Sequence, residues 1–388
     1  MPPMKIVHLT PYYAPAYAYG GVVRAVEGLV QALHRRGHSL TVLTTDAFDQ
    51  QQSYDGPVQE TLEGVEVIRA TNAMPWLRGR FNLSTPLDMR WLAQNVLPDA
   101  DVLHVHEWRT VENLRVMPVA AKLGVPVVMS PHGTLGYATG RGRLKSTWDT
   151  LLNRQLRKQI RTIVALTENE ADEARALWQT FGHMPHMEVV PNGINLADYD
   201  QLSGGADFRQ EHDLGRGPVV LFMGRLHARK GIAQLVEAFR LLDDAEARLV
   251  IAGPDEGMRS QITPRLDERM VMVGYLDSEE RLKALAAADL FVLPATGEGL
   301  SMAVLEAMAA SVPVLLSPGC NLPQVQPAGA GWIVEPDPSE LAQPLTQMLA
   351  DPDRLQAMGA AARQFVAARY TWDVVAEQME QVYLGVLD

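Results

Sequence analysis

The sequence of 388 residues contains one cysteine, Cys320, so no internal disulfide can form. A chain of this size without bridges suits a reducing compartment. Cys320 has no cysteine or metal-ligand cluster beside it and reads as a structural residue rather than a reactive thiol. Long apolar runs are missing too. None approaches the ~20 residues of a membrane-spanning helix, and Met1 to Lys5 leads straight into Ile6-Val7-His8-Leu9 without the apolar stretch and small-residue cleavage site of a signal peptide. The expected location is cytoplasmic, with peripheral attachment to the inner face of the membrane as the variation on it. Positive charge is in short supply: 34 Lys and Arg face 46 Asp and Glu, a formal net charge of -12. Such a chain repels phosphate backbones before any base is read, so no nucleic-acid partner is expected. Neither sheet-like region opens with a G-x-G-x-x-G turn, which disfavours a dinucleotide-dependent oxidoreductase.

What the sequence does have is ordinary globular material, 47% hydrophobic and 21% charged, in a chain longer than one core usually organises, so two domains are expected. Short β-rich apolar runs alternate with helical periodicity, the pattern of α/β proteins with parallel sheets, and the pattern occurs twice. In the first half the expected strands are Ile6 to Leu9, Leu40 to Thr44, Val65 to Arg69, Val102 to Val105, Val125 to Met129 and Ile163 to Leu166. A helix from about Gly21 to Arg36 places Val22, Val26, Leu29, Val30 and Leu33 on one face and stops at Gly37. Pro191-Asn192-Gly193 breaks the pattern, and the polar stretch from Leu196 to Gly217 reads as a linker. Strands then resume at Val219 to Met223, Leu249 to Ala252, Val271 to Val273, Leu290 to Leu293 and Val314 to Leu316, with a helix at Ile232 to Leu242. Helices at Ser339 to Leu349, Pro352 to Arg369 and about Trp372 to Leu387 close the chain. Open sheets of this kind bind ligands beyond their strand C-termini.

Two strand-end segments carry the chemistry. Asp289 to Pro313 reads as a strand, a glycine-flanked loop with Glu298, and a helix capped by Ser301 that carries Glu306 one turn inside. Carboxylates suit sugar and ribose hydroxyls, and the amides from about Leu300 to Ala303 suit anionic or hydroxyl oxygens. The plainer reading makes Glu298 a loop charge and Glu306 a partner of the helix dipole. Met223 to Gly231 reads MGRLHARKG directly after a strand. Arg225 offers a planar fork and Lys230 a mobile point charge, able to neutralise a diphosphate from two directions. A basic surface loop is the plainer alternative.

Together these segments resemble the retaining GT-B glycosyltransferases of family 4, which pair a G-R-x-x-x-x-K-G-like loop with two glutamates separated by seven residues. Here the matching positions are Gly224, Arg225, Lys230 and Gly231, with Glu298 and Glu306. Gly20-Gly21, Pro131-His132-Gly133 and Pro191-Asn192-Gly193-Ile194 extend the likeness over nearly the whole chain. The resemblance implies an α/β chain of the GT-B fold, two doubly wound Rossmann-like domains facing a cleft. Residues 1–195, with about 370–388 packing back, would form the acceptor-side domain, and 196–369 the nucleotide-sugar domain. It implies that Arg225 and Lys230 hold the diphosphate, that Glu306 holds the ribose, and that Glu298 with the amides of Gly299, Leu300, Ser301 and Met302 holds the transferred sugar. The base would lie near Gly274 and Tyr275. Gly20 and Gly21 would admit the diphosphate close to backbone, and His132 would face the donor sugar. His104, His106 and Glu107 are candidates on the acceptor side. Departures are Gly299-Leu300-Ser301 where many members have Phe-Gly, Ser311 where glycine is common, and Pro318 to Pro323 in place of a glycine-rich turn.

The function so implied is retaining transfer of a sugar from a UDP- or GDP-linked donor to a glycan or lipid-linked acceptor, in cell-surface polysaccharide or glycolipid biosynthesis. Arg225, Lys230 and helix N-termini would stabilise the departing diphosphate. No metal or other cofactor is expected, since no Asp-x-Asp pair stands in a loop suited to hold an ion. A nucleotide-sugar sensor without turnover and a GT-B-fold sugar-nucleotide epimerase remain alternatives. A further expectation concerns Arg141 to Arg161, seven basic residues against Asp149 alone. Leu144, Trp148, Leu151 and Leu152 interleave with these cations, so one helix here suits an anionic membrane surface. The alternative is a solvated helix with an apolar core face.

Overall fold

Runs of Val, Ile and Leu such as Val219–Met223 and Leu290–Leu293 are buried at every position, as strands covered on both sheet faces must be. The computed structural model describes residues 2–49, 51–81, 83–136 and 142–387, the side chains of 79–81 aside. The chain divides into two compact units, Met1–Gly193 with Trp372–Asp388, and Ile194–Thr371.

The first unit is built on eight strands: β1 (Lys5–Leu9), β2 (Ser39–Thr45), β3 (Gln59–Leu62), β4 (Val65–Ala70), β5 (Val102–His106), β6 (Val127–Ser130), β7 (Ile160–Ala165) and β8 (His186–Val189). Their order is β3-β4-β2-β1-β5-β6-β7-β8. All pairs are parallel except β3 with β4. The order reverses between β1 and β5, which places a ligand crevice past their C-termini. Side chains alternate between two cores. Val7, Leu9, Leu103 and Val105 face one with Trp108 and Trp178, while Ile6, Val42, Val102 and Val128 face the other. The helix Gly21–Arg35 covers that second core beside the last helix, Trp372–Leu387. Gly28 permits this contact, because a Cβ there would lie 2.2 Å from the Trp372 ring. Arg36 and His38 fix it from outside, each hydrogen-bonding the Glu380 carboxylate.

The second unit holds six parallel strands: β9 (Val219–Met223), β10 (Arg248–Ala252), β11 (Met270–Gly274), β12 (Leu290–Leu293), β13 (Val314–Leu316) and β14 (Gly331–Ile333). Their order is β11-β10-β9-β12-β13-β14. The reversal falls between β9 and β12, which are paired. The loops after these two strands are the MGRLHARKG segment and the Glu298 segment.

Several expectations need correction. Leu196–Gly217 is no linker: it folds into a turn at Leu196–Tyr199 and a helix at Gly205–Glu211. Phe208 and Leu214 there are buried, and Arg209 bonds Asp289 and the Ala287 carbonyl. Polar composition hid an anchor made of two apolar residues. The basic segment is not one helix either. Arg141 lies outside the described residues, a helix runs Gly142–Leu151, a short turn follows at Leu156–Lys158, and Arg161 belongs to β7. Edge strands β3, β8 and β14 were not expected.

Candidate functional site

In the second unit the site grows from two loops drawn together by one glycine. Gly231 adopts φ +70, and a Cβ there would fall 2.0 Å from the Pro294 carbonyl oxygen. No other residue lets the β9 loop approach the end of β12 so closely. The loops are then cross-linked, with Thr296 N–H donating to the Arg229 carbonyl at 2.9 Å and Arg229 Nη2 to the Gly297 carbonyl at 2.6 Å. As a result Lys230 and Glu298, 68 positions apart, form a half-buried ion pair at 2.7 Å. Arg225 leaves the same turn in the open and pairs with Glu256 at 2.9 Å, a surface pair worth little by itself.

The Glu298 backbone is fixed from both sides: its N–H donates to the Gly319 carbonyl at 2.8 Å, and Asn321 Nδ2 donates to its carbonyl at 2.6 Å. Pro318 to Pro323, the departure from the family pattern, therefore braces the loop. The helix Met302–Ala309 follows, with Ser301 as its N-cap residue in extended conformation. Contrary to expectation the Ser301 hydroxyl makes no capping bond, so the helix start keeps its N–H groups uncovered by that side chain. Gly299 and Met302 are half-buried here, Leu300 and Ser301 buried. Glu306 is buried and faces Arg281, whose Nε lies 3.4 Å from its carboxylate. At the end of β11, Gly274 has φ +80 and Tyr275 stands 60% exposed. Gly224, after β9, donates to the Ala252 carbonyl. The structure thus joins Gly224, Arg225, Lys230, Glu298 and the helix bearing Glu306 at one switch point. Arg281 and Glu256 escaped sequence reasoning, because a lone charge on a helix or a loop gives no local signal of its partner.

In the first unit, Gly20 precedes the helix that Gly21 begins, and its φ of +94 is what requires glycine there; a Cβ would meet nothing within 4 Å. His132 follows β6 with φ +53, in the left-handed region that few residues other than glycine enter. Its Nε2 lies 2.9 Å from His106 Nδ1, and His106 Nε2 lies 2.9 Å from His8 Nδ1. Burial lowers His132 to about 4 and His8 to about 3, and holds His106 well below the usual histidine range, so all three rings are neutral at pH 7. His104 is fully buried, one ring nitrogen on Tyr383 Oη and the other on Ser130 Oγ, each at 2.8 Å. It is therefore a structural residue and not an acceptor contact. Nitrogens of His8, His104 and His106 lie within 4.8 Å of one another, a spacing a metal could use, but the hydrogen bonds already account for it. Glu107 has φ +66 and a carboxyl that burial pushes up to about 7. His8 was missed, although His104 and His106 at alternate positions of an otherwise apolar strand signal imidazoles on one covered face.

Residues 206–365 match the family model of the glycosyl transferases group 1, and residues 19–198 match that of glycosyltransferase family 4. A phosphatidyl-myo-inositol mannosyltransferase of Mycobacterium leprae is 31% identical over 302 residues, 76% of this chain and 75% of that protein. The chain belongs to glycosyltransferase family 4. This family 4 enzyme is also 26% identical to a GDP-mannose-dependent monoacylated alpha-(1-6)-phosphatidylinositol monomannoside mannosyltransferase of Corynebacterium glutamicum, over 76% of this chain and 83% of that one. In fold it is similar to the Anabaena protein HepE in complex with UDP-glucose, with a TM-score of 0.76 and 18% identity over 98% of this chain and 100% of that one. It is a GT-B hexosyltransferase that uses nucleotide sugars.

Proposed function

We propose that this glycosyltransferase moves a hexose, with retention of configuration, from a UDP- or GDP-linked donor to a glycan or lipid-linked acceptor in cell-surface polysaccharide or glycolipid synthesis. The observation that carries this reading is the meeting of the β9 and β12 loops at the second unit's switch point. There Arg225 and Lys230 supply cations for a diphosphate, Glu306 an acceptor for ribose hydroxyls, and Glu298 with the amides of Gly299, Leu300, Ser301 and Met302 a cradle for the sugar. Tyr275 and the Gly274 backbone border the base; in the first unit, Gly20, Gly21 and His132 are the positions that the family likeness assigns to the donor. Negative charge that grows on the leaving diphosphate is met by groups already in place, the arrangement that lowers such barriers most. The acceptor class is supported by lipid-linked inositides in the names of the two mannosyltransferases.

The Lys230–Glu298 ion pair gives binding an order. A diphosphate that takes Lys230 releases Glu298 to accept from a sugar hydroxyl. A panel of UDP- and GDP-linked hexoses tests the reading: one donor is slowly hydrolysed with release of nucleoside diphosphate. Protection against heat without turnover of any donor would leave a sensor in its place.

A further inference from the structure

His132, His106 and His8 form an unbranched row of three neutral rings, joined by two contacts of 2.9 Å. The two ring nitrogens at the ends, His132 Nδ1 and His8 Nε2, are buried and have no hydrogen-bond partner among the described residues. A neutral imidazole carries one N–H and one lone pair, so each contact must be a donor facing a lone pair. The protons of the whole row then point one way or the other, and only two arrangements exist. One leaves an N–H at His8 Nε2 and a lone pair at His132 Nδ1. The other leaves a lone pair at His8 Nε2 and an N–H at His132 Nδ1.

The two ends are not equivalent. His8 is fully buried in the middle of the sheet, between β2 and β5, and an orphaned N–H there is the rarer and costlier fault. His132 is a half-buried residue of the loop beyond β6, and its Nδ1, although itself buried, belongs to a ring that lines a small cavity. A cavity of about 20 Å³ beside His106, Ser130, His132 and Asn192 has room for one water. We propose that His106, itself oriented by His8, is a positioning residue that fixes His132 as the tautomer protonated on Nδ1, so that the ring offers an N–H rather than a lone pair to an oxygen, of water or of ligand, that reaches Nδ1. The proposal rests on the reading of His132 as a donor-sugar contact, and it adds which proton makes that contact and what holds it there. His104 takes no part, since both of its nitrogens are engaged with hydroxyls.

The test is a long-range proton–nitrogen correlation spectrum of the ligand-free protein labelled with 15N at histidine, with His132 assigned through His132→Gln. The expected result is protonation at Nδ1 and a bare Nε2 for both His132 and His8. In His106→Leu the row is cut, and His132 should shift toward the Nε2 tautomer. Turnover should then fall roughly tenfold, the worth of one misdirected hydrogen bond, with nucleoside diphosphate affinity unchanged. His106→Gln, whose amide can donate to His132, should recover both the tautomer and most of the rate. His132 protonated on Nε2 in the unaltered protein would overturn the proposal, as would a stoichiometric metal ion held by His8, His104 and His106. A tautomer that shifts in His106→Leu while turnover stays the same would contradict the placing of His132 at the sugar and leave the hydrogen-bonded row standing.

Discussion

Lys230 and Glu298 are each other's counter-ion at 2.7 Å, and the proposed site gives each a separate partner in the donor, the diphosphate for one and the sugar for the other. Glu298→Ala should therefore leave affinity for free nucleoside diphosphate undiminished while lowering turnover of the full donor tenfold or more, because sugar contacts that strengthen at the transition state act on rate. Glu306→Ala should weaken nucleotide and nucleotide sugar alike, since ribose belongs to both. Calorimetry on the two variants, with circular dichroism to confirm folding, would show equal losses if the glutamates do not read separate halves of the donor. Arg225 is 60% exposed in the side chain and paired only at the surface, so Arg225→Ala should not disturb the fold. Loss of its charged hydrogen bonds, roughly 1.5 to 3 kcal/mol each, predicts nucleoside diphosphate binding one to two decades weaker. Unchanged calorimetric affinity would remove Arg225 from the phosphate site.

Among the elements, the helix Gly142–Leu151 exposes apolar side chains beside cations. Leu144 and Leu151 are 64% and 71% exposed, seven positions apart and so on one face. Arg143, Arg154 and Lys158 are exposed nearby, while Lys145 donates to the Gly136 carbonyl and Asp149 is held by Arg109 and Trp108. Apolar tips beside cations suit an anionic bilayer, at about 1 kcal/mol per well-placed charge. The protein should float with anionic liposomes at low salt, and Leu144→Glu with Leu151→Glu should abolish flotation; absence of binding by the unaltered protein would contradict it. Strands built from continuous apolar runs were legible in sequence, to the residue at Val219–Met223 and three residues late at the start of Ile160–Ala165, and the long helix Pro352–Arg369 was legible at both ends. Strands β3, β8 and β14 were not: each has three or four residues with mixed exposure, too few for a period to declare itself. The two site loops were legible because glycines and charges follow strong strands. The ion pairs they form depend on strand order, which local pattern does not encode.

For the whole molecule, buried histidines make stability depend on acid. His8 and His132 bind protons below 6.5 when unfolded but only near about 3 and about 4 when folded, so the unfolded chain takes up more protons and stability falls as pH drops through that window. Each contributes about 1.4 kcal/mol per pH unit. Glu107 runs the other way: raised from 4.5 to about 7, it stabilises fully below 4.5 and loses that contribution as pH rises through 7. It therefore offsets one histidine between 4.5 and 6.5 and none below. The unfolding midpoint should drop most steeply under about pH 4.5, and His132→Gln should flatten that slope; an equally steep variant would mean His132 is charged in the fold.

Both sheets reverse strand order at their centre, and in the second unit the reversal coincides with the loops proposed to hold the donor. Retaining transfer from a nucleotide sugar without a metal can be followed by proton NMR of donor hydrolysis in EDTA, read from the anomeric signals before mutarotation. The expected result is release of nucleoside diphosphate and a first-formed free sugar with the anomeric configuration of the donor. A first product of inverted configuration, or turnover abolished by EDTA and restored by magnesium or manganese, would contradict it.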